Sequence, residues 1–116
     1  MTDLKSTSDL KRTAFHVLLA LARSDLHGYG IMQAVREQSE GRARLSTGPL
    51  YRHLRQLMDG GLVAETNRRP ANDDPRRGAY YRLTALGRRI LAAESSRLAD
   101  IVSLTEELGL LQERRS

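Results

Sequence analysis

The spacing of apolar residues turns from helical to strand-like and back to helical along the chain, and that order leaves few folds open. After Ser8 or Asp9, either of which can cap a helix, Leu10, Ala14, Val17, Leu18 and Leu21 recur at the spacing of one helix face. This predicts a first helix over about residues 9 to 23. Tyr29, Ile31, Met32 and Val35 mark a second, running from the His27-Gly28 connection to about Ser39, before Gly41 breaks it. A short extended stretch, 42 to 45, leads to Ser46, Thr47, Gly48 and Pro49. Proline suits a first helical turn because its missing N–H would have no partner there. Leu50, Leu54, Leu57 and Met58 then give a third helix its apolar stripe, and Gly60-Gly61 supply the conformations that stop it.

Residues 62 to 68 read as a strand and 79 to 83 as its partner, with Tyr80 and Tyr81 adding strand preference. The intervening segment holds two prolines, Asn72-Asp73-Asp74 and Gly78, the composition of a charged loop too long for a tight hairpin. Thr84 can cap a last helix, in which Leu86, Ile90 and Leu91 continue into Leu98, Ile101, Leu104 or Thr105, Leu108 and Leu111. Unbroken from 85 to 110, it would measure nearly 40 Å at about 1.5 Å per residue, more than so small a domain covers. Three helices, strand, charged loop, strand and long helix form the winged helix-turn-helix order. The expected fold class is therefore mainly α with a small β-wing, followed by a long C-terminal helix.

Charge placement points to the partner. The net charge is +5, and residues 42 to 82 carry nine basic and four acidic side chains whereas the segments on either side are balanced. All nine are Arg, whose planar fork suits phosphate oxygens and guanine edges. A compact polyanion is implied, with nucleic acid the first candidate and an unpartnered basic surface the alternative.

Other classes find little support. No stretch approaches the roughly 20 apolar residues of a membrane span, and the N-terminus lacks an apolar signal core, so a cytoplasmic protein is expected. There is no cysteine for a disulfide or a thiolate metal site. His16, His27 and His53 fall on separate elements without metal-ligand spacing, and each reads as structural. Gly28 and Gly30 lack the strand and third glycine of a dinucleotide site, and Asp73-Asp74 lacks further ligands for a hard cation. No enzyme activity, cofactor or metal is expected.

On the third helix, Tyr51, Arg55, Gly48 and Arg52 lie within an arc of roughly 40° to 140° measured from Thr47, with Leu50, Leu54 and Leu57 at roughly 280° to 340°. That leaves one face to bury and one to reach. Arg52 and Arg55 can address a base edge and a neighbouring phosphate, and Tyr51 a phosphate or a thymine methyl. Ser46, Thr47 and Gly48 open the helix, where free N–H groups attract phosphate. A solvent-facing helix with a partly buried Tyr would show the same arc. At the wing, Arg68, Arg69, Arg76 and Arg77 flank the loop and can touch backbone or enter a minor groove, or form a hairpin with no contact.

The last helix needs a partner for a near-heptad seam of Leu91, Leu98, Ile101, Thr105 and Leu108, interrupted by Glu94. A homodimer would cover it, the alternative being a helix folded back on the first. Residues 1 to 84 then form a winged helix-turn-helix DNA-binding domain, and 85 to 116 a dimerisation helix within the same compact unit. Three uses remain open: a specific regulator of double-stranded operator DNA, a non-specific DNA-coating protein, and a winged-helix module for protein contacts.

Four strings in fixed order carry a resemblance: His27-Gly28-Tyr29-Gly30-Ile31, Leu45-Ser46-Thr47-Gly48-Pro49-Leu50-Tyr51-Arg52-His53-Leu54, Gly61-Leu62-Val63 and Tyr81-Arg82-Leu83-Thr84-Ala85-Leu86-Gly87. Over about residues 10 to 110 the chain resembles the PadR-type transcriptional regulators, and its single helix after the wing resembles their smaller subfamily. The resemblance implies a homodimeric repressor on operator DNA, with the first and last helices in the dimer interface. It also implies that a small-molecule effector bound near that interface can release the DNA.

Overall fold

A computed structural model describes residues 4–67 and 78–111, with side chains from residue 12 onward. Helix α1 spans Leu4–Arg23, strand β1 Leu26–His27, helix α2 Gly28–Gln38 and helix α3 Thr47–Asp59. Strands β2, Val63–Thr66, and β3, Tyr80–Leu83, precede the long helix α4, Ala85–Glu107. The start of α1 differs from expectation. With no glycine or proline before residue 10, nothing stops the helix at Ser8 or Asp9, and both lie inside it.

The sheet has three antiparallel strands in the order β1-β3-β2. β1 is too short to show a period, which is why the sequence suggests only two strands. His27 has two backbone-level duties: it pairs with Tyr80 in the sheet, and its Nδ1 accepts a 3.0 Å hydrogen bond from the Gly30 N–H, capping α2. Its ring also meets Tyr80 edge to face at 5.2 Å between centroids. The structural reading of His27 thus has a concrete content. His16 likewise ties two helices together, since Gln38 Nε2 donates to its carbonyl oxygen at 2.7 Å and lies 3.2 Å from its Nδ1.

α2 and α3 end in the same way. The Leu62 N–H reaches back to Leu57 O at 2.9 Å and Gly61 N–H to Met58 O at 3.0 Å, while Gly61 takes the left-handed conformation at φ 80°. At the end of α2, Gly41 N–H bonds Arg36 O at 2.8 Å, but the left-handed position there belongs to Glu40, φ 55°. Because Leu62 belongs to this turn, β2 begins one residue later than expected.

The core collects Val17, Leu18 and Leu21 of α1, Ile31 and Val35 of α2, Leu50, Leu54 and Leu57 of α3, Val63, Tyr81 and Leu91. Tyr29 stands apart from the apolar stripe in which its spacing places it, and is 60% exposed. Residue 29 lies in the first turn of α2, on the face opposite Ile31.

Thr84 joins the two halves of the molecule. Its N–H donates to Leu62 O at 3.0 Å, its hydroxyl donates to Gly61 O at 2.6 Å, and the same oxygen accepts from Gly87 N–H at 3.0 Å as the cap of α4. Gly87 makes the approach feasible. A Cβ there would stand 2.2 Å from Leu62 O, inside contact distance. The end of α3 and the start of α4 are therefore fastened to one turn.

Candidate nucleic-acid interface

Helix α3 divides cleanly by face. Leu50 and Leu54 are 0% exposed and Leu57 is buried, whereas Ser46, Thr47, Gly48, Tyr51, Arg52 and Arg55 are all exposed. A Cβ added at Gly48 would meet nothing within 4 Å, so the first turn presents open backbone. Ser46 occupies the cap position with extended backbone, yet its hydroxyl makes no capping bond. Ser46, Thr47 and Gly48 thus lie at the positive end of the helix dipole, where first-turn N–H groups have no partner within the helix.

Tyr51 is half in and half out, at 45% exposure. Its hydroxyl lies 2.6 Å from where a Cβ on Gly28 would be, so Gly28 leaves room for the ring to lean on the start of α2. Burial first, then the neighbouring Tyr51 and Glu65, raise the Tyr81 phenol above its ordinary range and keep it protonated. Sequence spacing alone places Tyr51 on the outward arc without showing that it leans inward. His53, between the two faces, is buried, and its pKa is lowered first by desolvation and then by the Arg52 charge.

The four wing arginines, Arg68, Arg69, Arg76 and Arg77, lie outside the described residues. The sheet that leads to them is described, with Thr66 opposite Tyr80 at its outer end.

The seam residues of α4 do not all behave alike. Leu91 is only 7% exposed and belongs to the domain's own core, a correction to its place in the seam: it falls in the second turn of α4, directly over the core. Leu98, Ile101, Thr105 and Leu108 remain on one outward face, with Ile101 43% and Leu108 71% exposed. Thr105 directs its hydroxyl to Val102 O at 2.6 Å, so the seam does not carry an unsatisfied donor there. Glu94 pairs with Arg97 on its own helix. Leu86 and Ile90 are also exposed, which extends the uncovered apolar surface to the start of α4.

Among the described residues no three His, Cys, Asp or Glu side chains gather to hold a metal ion, and no helix is long and apolar enough to cross a membrane. Apolar spacing does not reveal the outward row on α2 formed by Tyr29, Gln33 and Arg36. Its signal was present as polar residues at i, i+4 and i+7, but a tyrosine in an apolar stripe masks it.

Residues 17–93 match the model of the transcriptional regulator PadR-like family. No curated protein sequence gives a significant match. Among solved structures, a PadR-like transcription factor from Bacteroides fragilis is similar at TM-score 0.72 and 20% identity, over 92% of this chain and 99% of the other. A PadR family transcription regulator from Clostridium difficile is similar at TM-score 0.63 and 22% identity, over 83% and 96%. A transcriptional regulator from Clostridium thermocellum is similar at TM-score 0.68 and 16% identity, over 92% and 97%.

Proposed function

The chain belongs to the PadR-like family of transcriptional regulators, and from that premise we propose that it is a homodimeric, sequence-specific repressor that reads operator DNA with α3. The observation that carries the reading is the division of α3 itself. Complete burial of Leu50 and Leu54 fixes the helix on its domain, so that Arg52 and Arg55 face outward from a rigid support. Thr47, Gly48 and the Ser46 hydroxyl would hold a phosphate at the helix start, and Tyr51 would touch the strand through its exposed ring edge. Arg68, Arg69, Arg76 and Arg77 would flank the adjacent minor groove.

In this reading residues 1 to 84 are the DNA-binding unit and α4 is the dimerisation helix, covering Leu98, Ile101, Thr105 and Leu108 against a second copy. Two-fold symmetry would set the reading helices about one DNA turn, roughly 34 Å, apart. The protein would act in the cytoplasm, and a small-molecule effector bound near the dimer interface would release the DNA, as the family resemblance implies. An effector of that kind would raise the melting temperature of the free protein and lower its affinity for the operator.

The decisive experiment selects bound fragments from the source genome and measures their affinity by fluorescence anisotropy at fixed salt. A palindromic site held about a thousandfold or more above bulk DNA is expected. Binding that depends on salt alone, with no preferred site, would make the chain a DNA-coating protein instead. No binding to any duplex would leave a module for protein contacts.

A further inference from the structure

An open pocket of about 490 Å³ is lined by residues of neither α3 nor α4, and its size falls within the roughly 300–1,000 Å³ of small-molecule sites. Arg12 and His16 of α1 line one side; Gln38 at the end of α2, with Glu40 and Arg42 of the turn that follows, lines the other. Between them sits an ordered pair of side chains. Gln38 Nε2 donates to the His16 carbonyl oxygen at 2.7 Å, which fixes that end of the amide as the NH2 group, and the same nitrogen lies 3.2 Å from His16 Nδ1. Nδ1 therefore accepts, and the neutral ring carries its hydrogen on Nε2. Neither His16 Nε2 nor Gln38 Oε1 has a partner among the described residues, and neither is closed off from solvent. Each is separated by a single carbon from the 3.2 Å contact, so a free donor and a free acceptor stand close together.

The charges around them follow the same polarity. Arg12 lies one turn before His16, on the donor side, and has no carboxylate at ion-pair distance among the described residues. Glu40 follows Gln38 by two residues on the acceptor side, beyond the negative end of the α2 dipole. Glu40 also faces Arg42 at 3.7 Å, but both side chains are largely exposed, and so weak a pair leaves each partner able to take a further contact. The adjoining depression shares Glu40 and adds Arg36, Arg44 and Glu37, which keeps the surroundings positive on balance.

This pattern asks for a ligand with two anionic groups and one cationic group. A plain dianion would leave Gln38 Oε1 without a donor and would meet the Glu40 carboxylate, whereas a cation would meet Arg12 and Arg42. We propose that the pocket binds a free α-amino acid with an acidic side chain. Arg12 and the His16 Nε2–H take the α-carboxylate, Gln38 Oε1 and Glu40 take the ammonium group, and Arg42 takes the side-chain carboxylate. The ligand bridges α1 to the turn that leads into α3. Binding at this pocket does not rest on the DNA-binding reading, and either can fail without the other.

The test uses the full chain, with L-glutamate and L-aspartate added at millimolar concentration against potassium chloride of equal ionic strength. At least one of the two should raise the melting temperature in a concentration-dependent way and bind at one site per chain in calorimetry. Glutarate and succinate, which keep both carboxylates and lack the ammonium group, should bind about tenfold or more weakly, and so should glutamine and asparagine, which lack the second charge. Arg12→Ala and Glu40→Gln should each weaken binding by a similar factor while keeping the parent's melting temperature without ligand, and Arg12→Lys should restore part of it. No stabilisation by either amino acid overturns the proposal. Equal affinity for glutarate or succinate makes the pocket a plain anion site and overturns it, and unchanged affinity in both Arg12→Ala and Glu40→Gln overturns it by placing the ligand elsewhere.

Discussion

α3 and α4 both carry apolar residues at helical spacing, but they place them oppositely. α3 buries Leu50, Leu54 and Leu57 beneath its own domain and shows arginines outside; α4 buries Leu91 and then keeps Leu98, Ile101 and Leu108 in the open. The same periodicity thus answers two questions. On α3 the apolar side is satisfied and the unanswered chemistry is charge, which asks for a polyanion. On α4 the unanswered chemistry is apolar surface, which asks for more of the same.

The two helices should differ most when an apolar side chain is cut back. Leu54→Ala should cost about 2 to 5 kcal/mol of stability in urea unfolding, because its neighbours cannot collapse into the space. Leu104→Ala on α4, where the side chain is exposed, should leave the stability of an isolated protomer within about 0.5 kcal/mol. Equal effects would mean that α4 is packed within the protomer after all. Ile101→Asp, which puts a charge where a partner should desolvate it, should yield a monomer by light scattering with the helical content of the parent. A parent that is itself monomeric at micromolar concentration would remove the two-fold basis of the operator model.

Smaller effects sharpen the α3 side. Arg55→Ala should weaken operator binding by about 1 to 3 kcal/mol in anisotropy titrations without moving the melting temperature. Unchanged affinity in both Arg55→Ala and Arg52→Ala would take α3 out of the groove. His53 supplies a pH dependence. Its pKa is lowered in the fold, so the unfolded chain binds the proton first as pH falls below about 6.5. The stability that neutral His53 contributes is complete above that value and is lost as pH drops toward the lowered pKa of the folded state. The loss is at most about 1.4 kcal/mol per pH unit for one proton, and His53→Gln should abolish it in urea midpoints compared at pH 7.5 and 5.5.

Much of this was legible in the sequence because the signals were local and repeated. The α3 stripe begins after a proline and ends at two glycines, and Thr84 precedes the first turn of α4, so bounds and caps could be read from residue type. β1 could not be read. Two residues carry no period, and His27 becomes a strand residue only because Tyr80 lies opposite it from 53 positions away. The place of Leu91 was likewise hidden, since a heptad in sequence does not say where the domain ends beneath a helix.

The fastening of α3 to α4 through Thr84 has a mechanical consequence. α4 is 23 residues long, about 35 Å, and it leaves the turn that ends α3 as a rigid arm. A swing of 10° at that turn would carry its far end through about 6 Å, nearly two base-pair steps of a duplex. The tight fit of Gly87 against Leu62 O resists such a swing. In the proposed dimer, gauge, the distance between two reading heads, would then be set by one hydroxyl and one missing methyl group, far from any base.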